Sequence, residues 1–138
     1  MGIAFKDTGC KLRDGVIPAG TTVWKKLARG QIVEMITLEA GLIPTALRHQ
    51  VQSKTSQIAK TTFGNDNARK CRAPKVYVVA ISDYIGDAVT EGFSHVGGMR
   101  YAVGEVVVPD GYDANPNKVC TNGIHCFLSK AEAKAYRL

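Results

Sequence analysis

The chain has 138 residues, of which 45% are hydrophobic and 22% charged, and its formal net charge is +6. Those values exclude a disordered or fibrous chain and leave room for one domain with a sizeable core. No run of about 18 apolar residues is present, which excludes a membrane-spanning helix, and Met1-Gly2-Ile3-Ala4-Phe5-Lys6 has no secretory core.

The elements are expected as follows. Gly2, Gly9, Gly15, Pro18 and Gly20 punctuate the start, predicting turns and short extended pieces. Thr21 to Leu27 and Gln31 to Leu38 read as a β-hairpin, turned at Gly30. Pro44 to Arg48 reads as a short helical turn, and the polar residues 50 to 68 read as a mobile loop. Val76 to Ile81 lacks polar alternation and is rich in β-branched side chains, so it reads as a strand buried on both faces. Pro74 marks its entry. Ala88 to Ser94 is extended, Gly97-Gly98 is a flexible pair, and Tyr101 to Val108 is a strand region broken at Gly104. Pro109 to Lys118 is a turn-rich loop, followed by a strand over Ile124 to Leu128. Ser129-Lys130-Ala131-Glu132 is a capping box that opens a short alanine-rich helix. The sum is an α+β domain spanning 1–138, a mainly antiparallel sheet with short helices.

Charge is segregated along the chain. Arg48 to Lys75 holds seven cations and one acid, whereas Val76 to Pro116 holds one cation and six acids. Such a chain can offer a positive patch to an anionic partner, or match one half against the other within or between subunits, so a homo-oligomer is expected. The densest part is Arg69-Lys70-Cys71-Arg72 with Lys75, read as a basic loop feeding the central strand. Its alternatives are an anion site held on a rigid element and a solvated rim. Cys10, Cys71, Cys120 and Cys126 are irregularly spaced, which predicts reduced thiols in a cytoplasmic protein. A zinc site through Cys120, His125 and Cys126 is disfavoured, because adjacent strand residues point to opposite faces.

Three blocks carry a resemblance. They are Ile43-Pro44 with Ala46 and Arg48; Arg69-Lys70-Cys71-Arg72-Ala73 leading into the valine-rich strand; and Tyr101-Ala102-Val103-Gly104-Glu105 through Cys120, Gly123-Ile124-His125, Phe127 and Glu132-Ala133. Over roughly residues 24 to 138 the chain resembles a small domain of unknown function from phages and large DNA viruses, often attached to pentapeptide repeats. The resemblance implies a viral source and a fold, and supplies no activity. The chain departs from it in having Cys126 where a second aromatic is usual and in lacking the repeats. A shorter stretch, Gly123-Ile124-His125-Cys126-Phe127 with Ser129-Lys130-Ala131 and Tyr136, is similar to the strand-and-helix block lining the NAD pocket of ADP-ribosyltransferases. In that family a Tyr commonly stands where His125 stands, and a catalytic Glu lies further downstream. This sequence ends at Leu138, so the similarity implies adenine-nucleotide binding without transfer.

No nucleophile motif, P-loop or dinucleotide fingerprint is present, and His49, His95 and His125 have no metal or catalytic spacing. An enzyme is disfavoured and no cofactor is expected. Arginine pairs bidentately with phosphate, so the candidate ligand-binding residues are Arg48, Arg69, Lys70, Arg72, His125 and Phe127. Trp24 and Tyr77 are further aromatics, Tyr77 read as core. Aromatics make up only 7% of the chain, which disfavours nucleic acid. The expected function is a non-enzymatic viral counter-defence protein that binds and sequesters a phosphate-bearing nucleotide signal in the host cytoplasm. The alternatives are a protein-binding inhibitor of a host enzyme and an inactive ADP-ribosyltransferase-like nucleotide binder.

Overall fold

Between Thr22 and Thr37 two stretches rich in β-branched and apolar residues flank Ala28-Arg29-Gly30, and the chain folds there as a hairpin. The computed structural model describes residues 15–44, 70–118 and 121–136. A short first strand, β1 (Val16–Ile17), precedes the two arms of the hairpin, β2 (Thr22–Lys26) and β3 (Ile32–Thr37). The arms pair antiparallel from Thr22↔Ile36 to Lys26↔Ile32. A 3-10 turn over Ala28–Gly30 joins them, with Arg29 at φ 66° and Gly30 at φ 76°. That left-handed pair reverses the chain, and glycine makes half of it free of strain.

Next come β4 (Gly41–Leu42), β5 (Cys71–Ala73), β6 (Val76–Ser82), β7 (Ala88–Val89), β8 (Glu91–Phe93), β9 (Arg100–Ala102), β10 (Val106–Val107) and β11 (Ile124–Cys126). One sheet runs β1-β4-β5-β11, a second runs β10-β6-β3-β2 with β7 beside β6, and β8 pairs with β9. The two larger sheets meet where Trp24 and Phe127 form an antiparallel bridge with reciprocal backbone hydrogen bonds of 2.9 and 2.7 Å. This bridge sets β2, β11 and β5 side by side, although they lie far apart in sequence.

Two expectations are corrected here. The strand β6 is not buried on both faces: Val76, Val78 and Ile81 enter the core while Tyr77 is 39% exposed and Ala80 is exposed. A register shift between Glu34 and Met35 on β3 bulges the pair at Val79, returning Ile81 to the core side. Tyr77 therefore stands on the outer face, not in the core. The basic stretch is not a loop either. Cys71–Ala73 is a strand with all three residues buried, paired with β11 through Cys126↔Cys71, His125↔Arg72 and Ile124↔Ala73.

The core gathers Ile17, Val23, Leu27, Val33, Met35, Ile43, Val76, Val78, Tyr101 and Ile124 with Cys71 and Cys126, which are free thiols. Burial of these side chains is the main stabilising term, at about 25 cal/mol per Å² of apolar surface. Helix α1 (Lys130–Ala135) packs against β2 and β3. The expected capping box forms: Ser129 Oγ accepts from the Glu132 N–H at 3.2 Å and donates to Glu132 Oε1 at 2.6 Å. The described residues are thus sheet-rich and mostly antiparallel, with one short helix and one 3-10 turn. No helix among them is long and apolar enough to cross a membrane. The turn expected at Pro44 to Arg48 and the loop expected at 50 to 68 lie outside the described residues, apart from Pro44.

Candidate functional site

Strand alternation sorts the side chains of β5 and β11. Ile124 and Cys126 enter the core, so His125 points the other way. Arg72 is its direct partner across the ladder, and partners in an antiparallel pair share a face. Lys70, two residues before Arg72, completes a cationic row, to which β2 adds Lys25 and Lys26. The bridge between the sheets therefore brings together cations from two separate stretches and a histidine from a third.

Lys25, Lys26 and Lys70 border two neighbouring pockets, taken together as the lobes of one cleft because they share lining residues. The wider lobe, about 480 Å³, is bounded by Ser94, Met99, Tyr101, Asp110, Thr121 and Asn122, among others. The narrower lobe, about 160 Å³, is lined by Lys25, Lys26, Lys70, His95, Val96, His125, Phe127 and Tyr136. Lys25, Val96 and His125 belong to both. Among the described residues the lining of the narrow lobe has three lysines and no carboxylate. The Lys70 ammonium donates to the Tyr136 hydroxyl at 3.0 Å and lies 4.8 Å from that ring's centroid. Lys26 donates to the carbonyls of Lys134 and Tyr136 at 3.2 and 3.0 Å, an interaction that holds its charge against the end of α1.

Lys25 donates to the carbonyl of His125 at 3.1 Å. Burial is the main cause that lowers its pKa to about 8, and nearby Lys70 adds to the shift. His125 Nε2 lies 2.6 Å from the carbonyl of Thr121, which makes that nitrogen the protonated one. Burial, reinforced by Lys70, Lys25 and Arg72, pushes its pKa down to about 4 despite that bond. The ring is therefore neutral at pH 7 and keeps Nδ1 as an acceptor.

Arg72 serves another purpose. It is fully buried, and its Nε, Nη1 and Nη2 donate to the carbonyls of Asp113, Lys118 and Asn115 at 3.1, 2.6 and 2.7 Å. The planar fork that suits a phosphate is turned onto the 109–118 loop, which it ties down. Gly123, at φ 143°, lets the loop and Arg72 approach: a Cβ there would sit 3.1 Å from Tyr112 and 3.2 Å from Arg72 Cδ. Asp113 strengthens the same loop by accepting from Asn115 N–H and the Thr121 hydroxyl, which hold its carboxyl below the usual range. The loop in turn supplies Pro109, Asp110 and Gly111 to the wide lobe.

Of the expected site residues, Lys70, His125 and Phe127 line the cleft, whereas Arg72 lies behind it. Arg48 and Arg69 lie outside the described residues. Phe127 is buried, its ring 5.2 Å from that of Tyr136 and tilted by 50°. It supports Tyr136 instead of presenting a free stacking face. Lys25, Lys26 and Tyr136 were missed as site residues. The available signal was two adjacent lysines closing a half-apolar strand. Cys120 is outside the described residues. Among those described, no group of three His, Cys, Asp or Glu residues is arranged to hold a metal ion.

Fold and cleft define a small β-rich protein with a basic pocket at the seam of two sheets. The chain belongs to a family of unknown function, DUF5758, whose profile matches residues 10–133. No curated protein and no solved structure matches it significantly.

Proposed function

We propose that the cleft binds a small phosphate-bearing nucleotide and holds it unchanged, so that the protein acts by sequestration. The observation that carries this reading is the narrow lobe, where Lys25, Lys26 and Lys70 converge beside Tyr136. Charge-assisted bonds to phosphate are roughly twice as strong as neutral ones, and the wider lobe offers Ser94, Asp110, Thr121 and Asn122 to a sugar or base. Ligand pockets commonly span about 300–1,000 Å³, and the wide lobe alone falls in that range. In the viral setting implied by the sequence resemblance, the ligand is a host signal nucleotide and its capture is the counter-defence. The test is mass spectrometry of small molecules released by heating protein purified from infected cells, followed by calorimetry with the released species. An intact nucleotide whose affinity falls at least tenfold in Lys70→Gln supports the reading. Absence of any nucleotide, or unchanged affinity in Lys70→Gln and Lys26→Gln alike, overturns it.

A second reading, a protein-binding inhibitor, draws on the outer face of the second sheet. Tyr77 is paired directly with Val106, and the two are 39% and 49% exposed. Co-purification of a host enzyme that is lost in Tyr77→Lys, with the cleft empty of nucleotide, favours it.

A further inference from the structure

Among the described residues Lys25 is the one lysine that belongs to both lobes of the cleft, and its surroundings are those of a nucleophilic amine. Among the described residues no carboxylate pairs with it; the salt bridges there join Arg100 to Glu91 and Glu105. Its neighbours are a carbonyl, a neutral imidazole, other cations and Cys126, which acts in the opposite sense to burial and Lys70 but does not outweigh them. A lysine kept from water and set beside further positive charge favours its uncharged form, the condition under which lysines attack carbonyl carbon. The bond to the His125 oxygen needs only one N–H, so the neutral amine keeps that anchor and still has its lone pair.

We propose that Lys25 condenses reversibly with an aldehyde whose anionic group is held by the narrow lobe, so that the cleft captures phosphate-bearing aldehydes as an imine. In the step, Nζ attacks the aldehyde carbon and forms a C–N bond while the carbonyl oxygen takes a proton. Of the two protons on nitrogen, the first has thereby passed to the carbonyl oxygen by way of solvent; the carbinolamine C–O bond then breaks and the hydroxyl leaves as water, taking the second. Amine and aldehyde give imine and water, with no oxidant or reductant. Lys26 and Lys70 supply the positive field for the phosphate, and the wide lobe takes the remainder of the molecule. This inference rests on the cleft and not on the ligand being a nucleotide.

The pKa of about 8 makes the expected selectivity large. At pH 7.5 the fraction of Lys25 that is uncharged exceeds that of an ordinary surface lysine on the order of a hundredfold. The test uses pyridoxal phosphate at stoichiometric concentration, trapped with borohydride, on the full chain at pH 7.5. Peptide mapping is expected to find one adduct, at Lys25, with a labelling rate that levels off above about pH 8. Lys25→Arg abolishes that adduct, and millimolar inorganic phosphate slows its formation. Adducts spread over exposed lysines such as Lys130 and Lys134, with Lys25 unlabelled in the wild-type chain, overturn the proposal. Because the mapping reads the unmodified protein, the result holds even if Lys25→Arg folds poorly. Labelling at Lys25 without any nucleotide binding leaves this inference standing while removing the proposed function.

Discussion

Replacing Arg72 by methionine keeps much of the buried side-chain volume and removes the guanidinium. Three backbone carbonyls, those of Asp113, Asn115 and Lys118, then lose their donor. Hydrogen bonds to a charged group contribute about 1.5–3 kcal/mol each, so the gross loss would be roughly 5–9 kcal/mol if nothing relaxed. The loop can relax: Asn115 and Lys118 are exposed, and their carbonyls can turn to water once the chain lifts. Methionine also removes the need to keep a cation dry. The net destabilisation is expected at about 2–4 kcal/mol, which lowers Tm by roughly 10 °C in a domain of this size. Urea unfolding followed by circular dichroism measures the first number. Hydrogen exchange over residues 111–118 locates the change, because the loop should lose protection before the core does. Arg72→Lys should fall between, since an ammonium can reach some but not all of three diverging carbonyls. An Arg72→Met protein within about 0.5 kcal/mol of wild type, with unaltered exchange in the loop, would refute the claim that this arginine holds it.

The remaining predictions concern single groups. His125 has a folded pKa of about 4 against an ordinary 6.5, so its neutral form stabilises the fold fully above pH 6.5 and loses that contribution as pH falls towards 4. The loss is at most about 3 kcal/mol; the difference between wild type and His125→Asn in urea midpoints at pH 7 and 4.5 reads it, and parallel curves would contradict it. Lys25→Met should stabilise the protein at pH 7 by up to about 2 kcal/mol, because a desolvated ammonium disappears and only the bond to the His125 carbonyl is lost. Its advantage should shrink between pH 8 and 10.5, where the wild-type amine is neutral when folded but still protonated when unfolded. A clear destabilisation at pH 7 would count against that account. Ser129→Ala removes the N-cap of α1 and should cost about 1 kcal/mol in a thermal melt. Gly41→Ala would place a Cβ 2.5 Å from the backbone oxygen of Arg72, with an expected loss of about 1–3 kcal/mol in the same assay.

Local chemistry was legible in the residues themselves. The hairpin around Gly30, the break at Gly104, the turn-rich 109–118 segment and the capping box at Ser129 each depend on a few neighbouring residues, and all appear where those residues predict. The alternation that sends His125 and Cys126 to opposite faces is equally local. Matters differ where one strand's environment is set by another. Val76 to Ile81 reads as a doubly buried strand because its residues are apolar, yet nothing in them records that Tyr77 is left 39% exposed on the outer face. Arg72 reads as a phosphate fork because its side chain is one, yet the three carbonyls that occupy it come from residues more than forty positions away. The cleft is the clearest case. Its lysines come from β2 and from the residue preceding β5, and its histidine from β11. They meet because Trp24 and Phe127 pair across the seam between two sheets. Sequence determined which side chains were available and the short-range turns that present them. Tertiary structure decided which cations face the cleft and which are tied to the backbone, because burial and charge pairing depend on distances that only the closed ladder establishes.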